Sequence, residues 1–199
     1  MNIPKSIWRW AYYDFANSGY IVVYAGFLLP VFFSMIFKDQ GHTLGTWGLA
    51  NAIATVIGII LAIIIGKFSD THSRFQDFKW SIMASFIGMM TITVSIKYFL
   101  DLMMYVYILT QATFILSISL SDSILPHVAS KKDAYEYSGF AWGFGYIGGI
   151  VALIIAMILQ KITGDEYHPF VFLSTAIFYI LFSAYCLSGL KEVKMNTPP

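Results

Sequence analysis

Long apolar runs broken by short polar segments dominate the chain. Six runs approach or exceed the roughly 20 mostly apolar residues needed to cross a bilayer core. They cover residues 12–37, 46–68, 80–99, 102–125, 138–160 and 170–190, numbered here spans 1 to 6. The connectors hold nearly all the charge: KDQGH after span 1, SDTHSRFQDFK after span 2, PHVASKKDAYEY after span 4 and KITGDEYHP after span 5. Spans 3 and 4 are separated only at KYFLD. The runs are continuous rather than alternating, which argues against membrane β-strands. The pattern predicts an all-α membrane protein, one domain of six transmembrane helices.

Polar residues inside these runs need a reason, because lipid gives a helix no wet face. Asp14 and Asn17 stand at the start of span 1 in WAYYDFANSGY, with Ser18 on the same helical face. A charge at the bilayer centre costs roughly 2.5–3.5 kcal/mol on insertion scales, less near the interface. Asp14 therefore reads either as a cap at a helix start near the headgroups or as a group facing a cavity. Span 4 carries Thr110, Thr113, Ser117 and Ser121 at a helical period, plus Gln111 and Asp122 about three turns apart. Hydroxyls alone would be glue between helices; their number, with Gln111 and Asp122, favours a hydrated pathway. Span 6 offers only Ser174, Thr175, Ser183 and Cys186, and is expected to be peripheral, with Phe178 toward lipid. Span 5 opens with SGFAWGFGYIGG. There Gly139 and Gly143, and again Gly145 and Gly149, are four apart, spacing that lets another helix approach closely.

Composition agrees. Only 12% of the 199 residues are charged and 58% are hydrophobic, with a mean hydropathy of +0.70. Soluble domains carry about 25% charge; half that leaves lipid to cover the remaining surface. A net charge of +1 and the lack of a basic stripe exclude nucleic acid as a partner. The lone Cys186 permits no internal disulfide. His42, His72, His127 and His168 are scattered surface histidines, and no metal or cofactor is expected. No HExxH, GxSxG or phosphate-loop motif occurs, so no enzyme is expected. The first run is too long for a secretion signal and lacks a small-residue cleavage site, so it is expected to be a retained span.

Lys and Arg set orientation. Nine of them fall in the N-terminal segment, the connectors after spans 2 and 4, and the tail; three fall on the other side. Both termini are therefore expected in the cytoplasm. Lys exceeds Arg, and Ile, Phe and Tyr are frequent, as in AT-rich bacterial genomes. The expected location is the bacterial plasma (inner) membrane.

The connector after span 2, GKFSDTHSRFQDFKW, resembles the signature between helices 2 and 3 of major facilitator transporters. Gly66 and Asp70 match its first half. Thr71 and Ser73 depart from it, and the basic residues are displaced to Arg74 and Lys79. WAYYDFANSGY looks like the start of the vacuole-effluxer-like (autophagy-related) branch. SILPHVA followed by YSGFAWGFGYIGG is similar to that branch's helix 4 end and helix 5 start. The resemblance implies the N-terminal six-helix half of a transporter whose helices 1 and 4 line a central cavity. It implies movement of a small solute by alternating access; fungal members of the branch release amino acids from the vacuole. It makes Asp14, Asn17, Gln111, Ser117 and Asp122 cavity or coupling candidates, with Asp14 the first candidate proton carrier. Asp122 stands where the branch usually has Asn, which weakens its case. It also implies a second six-helix unit, a homodimer partner or a separately encoded C-terminal half. Spans 2 and 5 would meet that unit through Asp70 and the glycine face. The alternative is a non-transporting scaffold or the remnant of a twelve-helix transporter.

Overall fold

The computed structural model describes residues 3–36, 44–69, 73–98, 102–164 and 169–191. Those residues are almost entirely helical, with no strand among them. Span 1 is one continuous helix in three parts: α1 (Lys5–Gly19), a π-helical stretch (Tyr20–Leu28) and α2 (Leu29–Ile36). Spans 2 to 6 are α3 (Leu44–Ser69), α4 (Arg74–Tyr98), α5 (Met103–Val128), α6 (Ala134–Thr163) and α7 (Pro169–Leu190). All six spans are long and apolar enough to cross a membrane. Helices are what such runs must form, because backbone groups in hydrocarbon have no water to bond and need partners within the segment.

Several helices start earlier than hydropathy alone places them. Lys5 opens α1, Arg74 opens α4 and Ala134 opens α6. Each first turn is polar or mixed, so an apolar count omits it although the backbone is already helical. The early start of α1 removes the capping reading of Asp14, which lies in the helix interior.

The π stretch has a local cause. The Leu29 N–H bonds the Tyr24 carbonyl, five residues back. Pro30 follows; its ring would crowd the Gly26 carbonyl of a regular α-helix, and it has no N–H to give. Gly26 itself fits the wider turn, since a Cβ there would stand 2.6 Å from the Ile21 carbonyl oxygen.

Packing sorts the spans into two groups. Span 1 packs on α6 and α7, and α5 packs on α3 and α4; the groups join through α4–α7 and a short α1–α5 contact. Exchanging spans 1, 2, 3 with spans 4, 5, 6 leaves this pattern unchanged. Spans 1 and 4 therefore occupy equivalent central positions, 2 and 5 equivalent flanks, and 3 and 6 equivalent backing positions. Inverted-repeat transporters show this kind of relation.

The core is aromatic. Tyr13, Tyr20, Tyr24, Tyr107, Tyr179, Phe78, Phe114 and Phe172 are fully buried. Phe15 lies against Phe144, Phe178 and Phe182, with centroids 4.9, 5.4 and 4.7 Å away. This overturns the expectation for span 6. Phe178 is only 5% exposed, and a Cβ at Gly19 would stand 2.8 Å from its ring. The few polar groups of α7 misled the reading: a helix can be apolar because it meets other apolar helices, not only because it meets lipid.

Candidate functional site

The seam between α1 and α5 gathers most of the polar side chains picked out in the sequence. Trp10, Tyr13, Asn17, Tyr20 and Tyr24 recur at helical spacing on span 1, and all are buried. Trp10 Nε1 donates to the Ser121 carbonyl at 2.9 Å. The Tyr13 hydroxyl and Ser117 Oγ are hydrogen-bonded. The Tyr20 hydroxyl donates to Gln111 Oε1 at 2.8 Å. The Tyr24 hydroxyl donates to the Met89 carbonyl of α4 at 2.9 Å. Four aromatic donors thus fasten span 1 to its neighbours along its length.

Asp14 sits beside this row, half-buried. Asn17 Nδ2 donates to Asp14 Oδ1 at 3.2 Å. Asp122, exposed on α5, is near enough for its charge to act on Asp14. Spacing along the chain gave no hint that both would lie at the α1–α5 contact. Neither forms an ion pair among the described residues, and Asp122 has no hydrogen-bond partner there. Gln111 is half-buried on the same helix, eleven positions from Asp122.

The hydroxyl stripe on span 4 divides differently from the expected pathway. Thr110, Ser117 and Ser121 are buried. Thr110 bonds back to the Val106 carbonyl at 2.7 Å, Thr113 to Thr110 at 2.9 Å, and Ser117 to Phe114 at 2.7 Å. Ser85 of α4 donates to Thr113 Oγ1 at 3.2 Å. These hydroxyls are dry packing groups that bond their own backbone or a neighbouring helix. Gln111 and Thr113 are half-buried, and Asp122 is exposed.

The glycines also divide. A Cβ at Gly145 would stand 3.1 Å from the Asp14 carbonyl oxygen, and one at Gly149 3.1 Å from Val22 Cγ2. Gly148, missed by the spacing rule, lies directly on the Phe15 backbone. That face of α6 is therefore occupied by span 1 of the same chain, which corrects its assignment to an interface with a second unit. Gly139 and Gly143 are exposed, with nothing within 4 Å of an added Cβ. Large apolar side chains flank them, among them Trp142, which is 68% exposed, and Tyr146.

At the Asp122 end of α5, Arg74 Nη1 donates to the Ser123 carbonyl at 2.9 Å and lies 3.2 Å from His127 Nε2. It ties the start of α4 to the end of α5, and His127 is a partner rather than a scattered surface residue. Lys79 Nζ stands 5.3 Å from the Trp80 ring centroid. Gly66 has open space where a Cβ would go. Asp70 lies outside the described residues. Arg9, one of the basic residues that set the expected orientation, donates to the Tyr185 carbonyl and Ser188 Oγ at 3.1 and 2.8 Å, pinning α1 to α7.

Six helices of this length and composition in one bundle define an integral membrane protein. Over 167 residues, 80% of its length, the chain is 26% identical to the uncharacterized MFS-type transporter YxiO of Bacillus subtilis (strain 168). The match spans 39% of that relative, so the chain corresponds to well under half of it. No family model matches the chain, and no solved structure matches it.

Proposed function

We propose that the chain is a six-helix unit of a secondary transporter in the vacuole-effluxer-like branch of the major facilitator superfamily. In this reading the α1–α5 seam lines the path of a small solute, with amino acids the first class to screen. A second six-helix unit covers spans 2 and 5, the two flanks that the chain itself leaves most open. The two units rock against each other to expose the seam to either side of a bacterial plasma membrane, with both termini cytoplasmic.

One observation carries the reading. Asp14, half-buried on span 1 beside the Trp10–Ser121 bond, and Asp122, exposed on span 4 next to Ser121, form no ion pair among the described residues, at the contact where equivalent halves of the bundle join. Hydrocarbon would not tolerate them, and intramembrane acidic groups mark solute or ion paths. The similarity to an MFS-type transporter supports the same conclusion.

The test is uptake into liposomes carrying the chain, alone and together with a second six-helix unit from the same genome. Labelled amino acids, sugars and nucleosides are screened in counterflow. Accumulation that is lost in both Asp14→Asn and Asp122→Asn supports the proposal. No accumulation of any solute under any pairing would sink it.

A further inference from the structure

Two arginines fasten helix ends at one end of the bundle. Arg9 reaches the Tyr185 carbonyl and Ser188 Oγ, tying span 1 to span 6. Arg74 reaches the Ser123 carbonyl and His127 Nε2, tying span 3 to span 4. The Trp10–Ser121 bond brings the two ties to the same end. They differ in one respect. A carbonyl and a hydroxyl keep their charge state at ordinary pH, whereas an unperturbed imidazole gains a proton near about pH 6.5.

The second tie fixes the state of His127. A guanidinium has five N–H donors and no acceptor, and it keeps its proton in proteins. At 3.2 Å from Arg74 Nη1, His127 Nε2 is therefore the acceptor. The imidazole is neutral and carries its proton on Nδ1. A second proton, on Nε2, would set two donors and two positive charges against each other. The helix is weak at this point. Pro126 stands inside the last turn of α5 and gives no N–H to the Asp122 carbonyl. Arg74 bonds α5 on both sides of that break, at Ser123 and at His127.

The other described charges on the elements packed about α5 are engaged or exposed. Asp77 of α4 is bonded to the Ser69 hydroxyl, Asp14 of α1 to Asn17, and Asp133, beyond α5, to Ser130. Lys67 of α3, Glu136 of α6, Asp122 of α5 itself, and Lys131 and Lys132 beyond it are exposed. Among the described residues, Arg74 is the charged group bonded to His127. Arg74 has further interactions as well, so its own place does not depend on the imidazole alone.

We propose that the Arg74–His127 contact is a proton-operated latch: neutral His127 holds the end of span 4 against the start of span 3, and protonated His127 releases it. The direction follows from the charges. The latch is closed at neutral pH, and its contribution to stability is lost as pH falls and the imidazole charges. The device belongs to this chain whatever solute, if any, the chain carries.

The experiment uses the full chain in lipid nanodiscs at about pH 7.5 and about pH 5, on either side of the usual imidazole range. With histidines labelled by nitrogen-15, the His127 signal is the one missing from His127→Gln. At the higher pH it should show the Nδ1–H tautomer. His127→Gln keeps a neutral acceptor that cannot take a proton. Its unfolding midpoint should match wild type at the higher pH and fall less than wild type on acidification. His127→Lys carries a fixed charge. At the higher pH, thiol labelling of Ser123→Cys should be about threefold or more faster in the His127→Lys background than in His127→Gln, the scale of one exposed charge contact. Leu187→Cys, beside the Arg9 tie, should react alike in both. An Nε2–H tautomer or an already charged His127 at the higher pH would overturn the inference. So would an equal fall of the midpoint in wild type and His127→Gln, or equal labelling of Ser123→Cys in the two backgrounds. If His127→Lys does not fold, the tautomer and the midpoints of wild type and His127→Gln still decide.

Discussion

Tyr20 of span 1 and Gln111 of span 4 share a hydrogen bond of 2.8 Å between the two central helices. The Tyr20 ring also stacks on Phe114, one turn further along span 4, with centroids 4.0 Å apart. One residue thus joins the halves of the bundle by a polar and an apolar contact at the same level. Tyr20→Phe keeps the stacking and loses the bond. Interhelical bonds in membranes contribute about 0.6 kcal/mol on average and up to about 2. Tyr20→Phe should therefore cost about 1 kcal/mol, read as a lowered unfolding midpoint in detergent. A double-mutant cycle with Gln111→Leu should recover a coupling of that size, and additive losses would show that the contact is idle.

Substitutions at two glycines of α6 should diverge. Gly148 lies on the Phe15 backbone, so any Cβ must push α6 away from α1. Gly148→Ala should reduce folded protein severely, by several kcal/mol, as overpacking against rigid backbone does. Gly143→Ala meets open space and adds helix propensity, so its stability should equal or exceed wild type. Thermal stability of the two variants side by side checks both.

Cysteine reactivity maps the seam. Asp122→Cys should be labelled rapidly by small hydrophilic thiol reagents added from the cytoplasmic side. Ser121→Cys, one residue away but buried, should react slowly. Phe178→Cys should be inert because it is enclosed by Phe15, Gly19 and Phe182 rather than by lipid. Equal rates at all three positions would refute a seam open at Asp122.

A second six-helix unit should touch α6 through its open glycines. Gly143→Cys should crosslink to a partner chain in native membranes, whereas Gly145→Cys, held against Asp14 and Ser18, should not. Crosslinking at Gly145 alone would mean that α6 detaches from span 1 in the assembly.

Proton coupling is tested at Asp14. In a reconstituted system an imposed pH gradient should drive solute accumulation in the wild type and fail to drive it in Asp14→Asn. An unchanged response excludes Asp14 as the carrier.

The number of spans and their order were legible because crossing a membrane imposes a length and an apolarity that nothing else in a small protein imitates. Asp14 was legible as anomalous for the same reason. Which face each residue takes was not. Thr110 and Ser117 read as polar, but a hydroxyl can spend its hydrogen bond on its own helix, and these do. Phe178 read as lipid-facing, but lipid and packed aromatic rings ask the same of a side chain. The glycine spacing in α6 announced close approach without naming the partner, which proved to be span 1. The pairing of Trp10 with Ser121 and of Tyr20 with Gln111 depends on antiparallel registry between helices separated by a hundred residues, and no local pattern encodes it.

The wide turns of span 1 bear on how this chain tolerates insertions and deletions. A stretch bonded five residues back holds slack relative to one bonded four back. Removing one residue between Tyr20 and Leu28 would let the segment tighten to an ordinary α-helix while α2 keeps its facing. The same deletion in α5 would rotate every residue beyond it by about 100°, carrying Gln111 away from Tyr20 or Ser121 away from Trp10. Span 1 therefore contains the one place in the described helices where chain length can change by a residue and leave both sides of the cut in register.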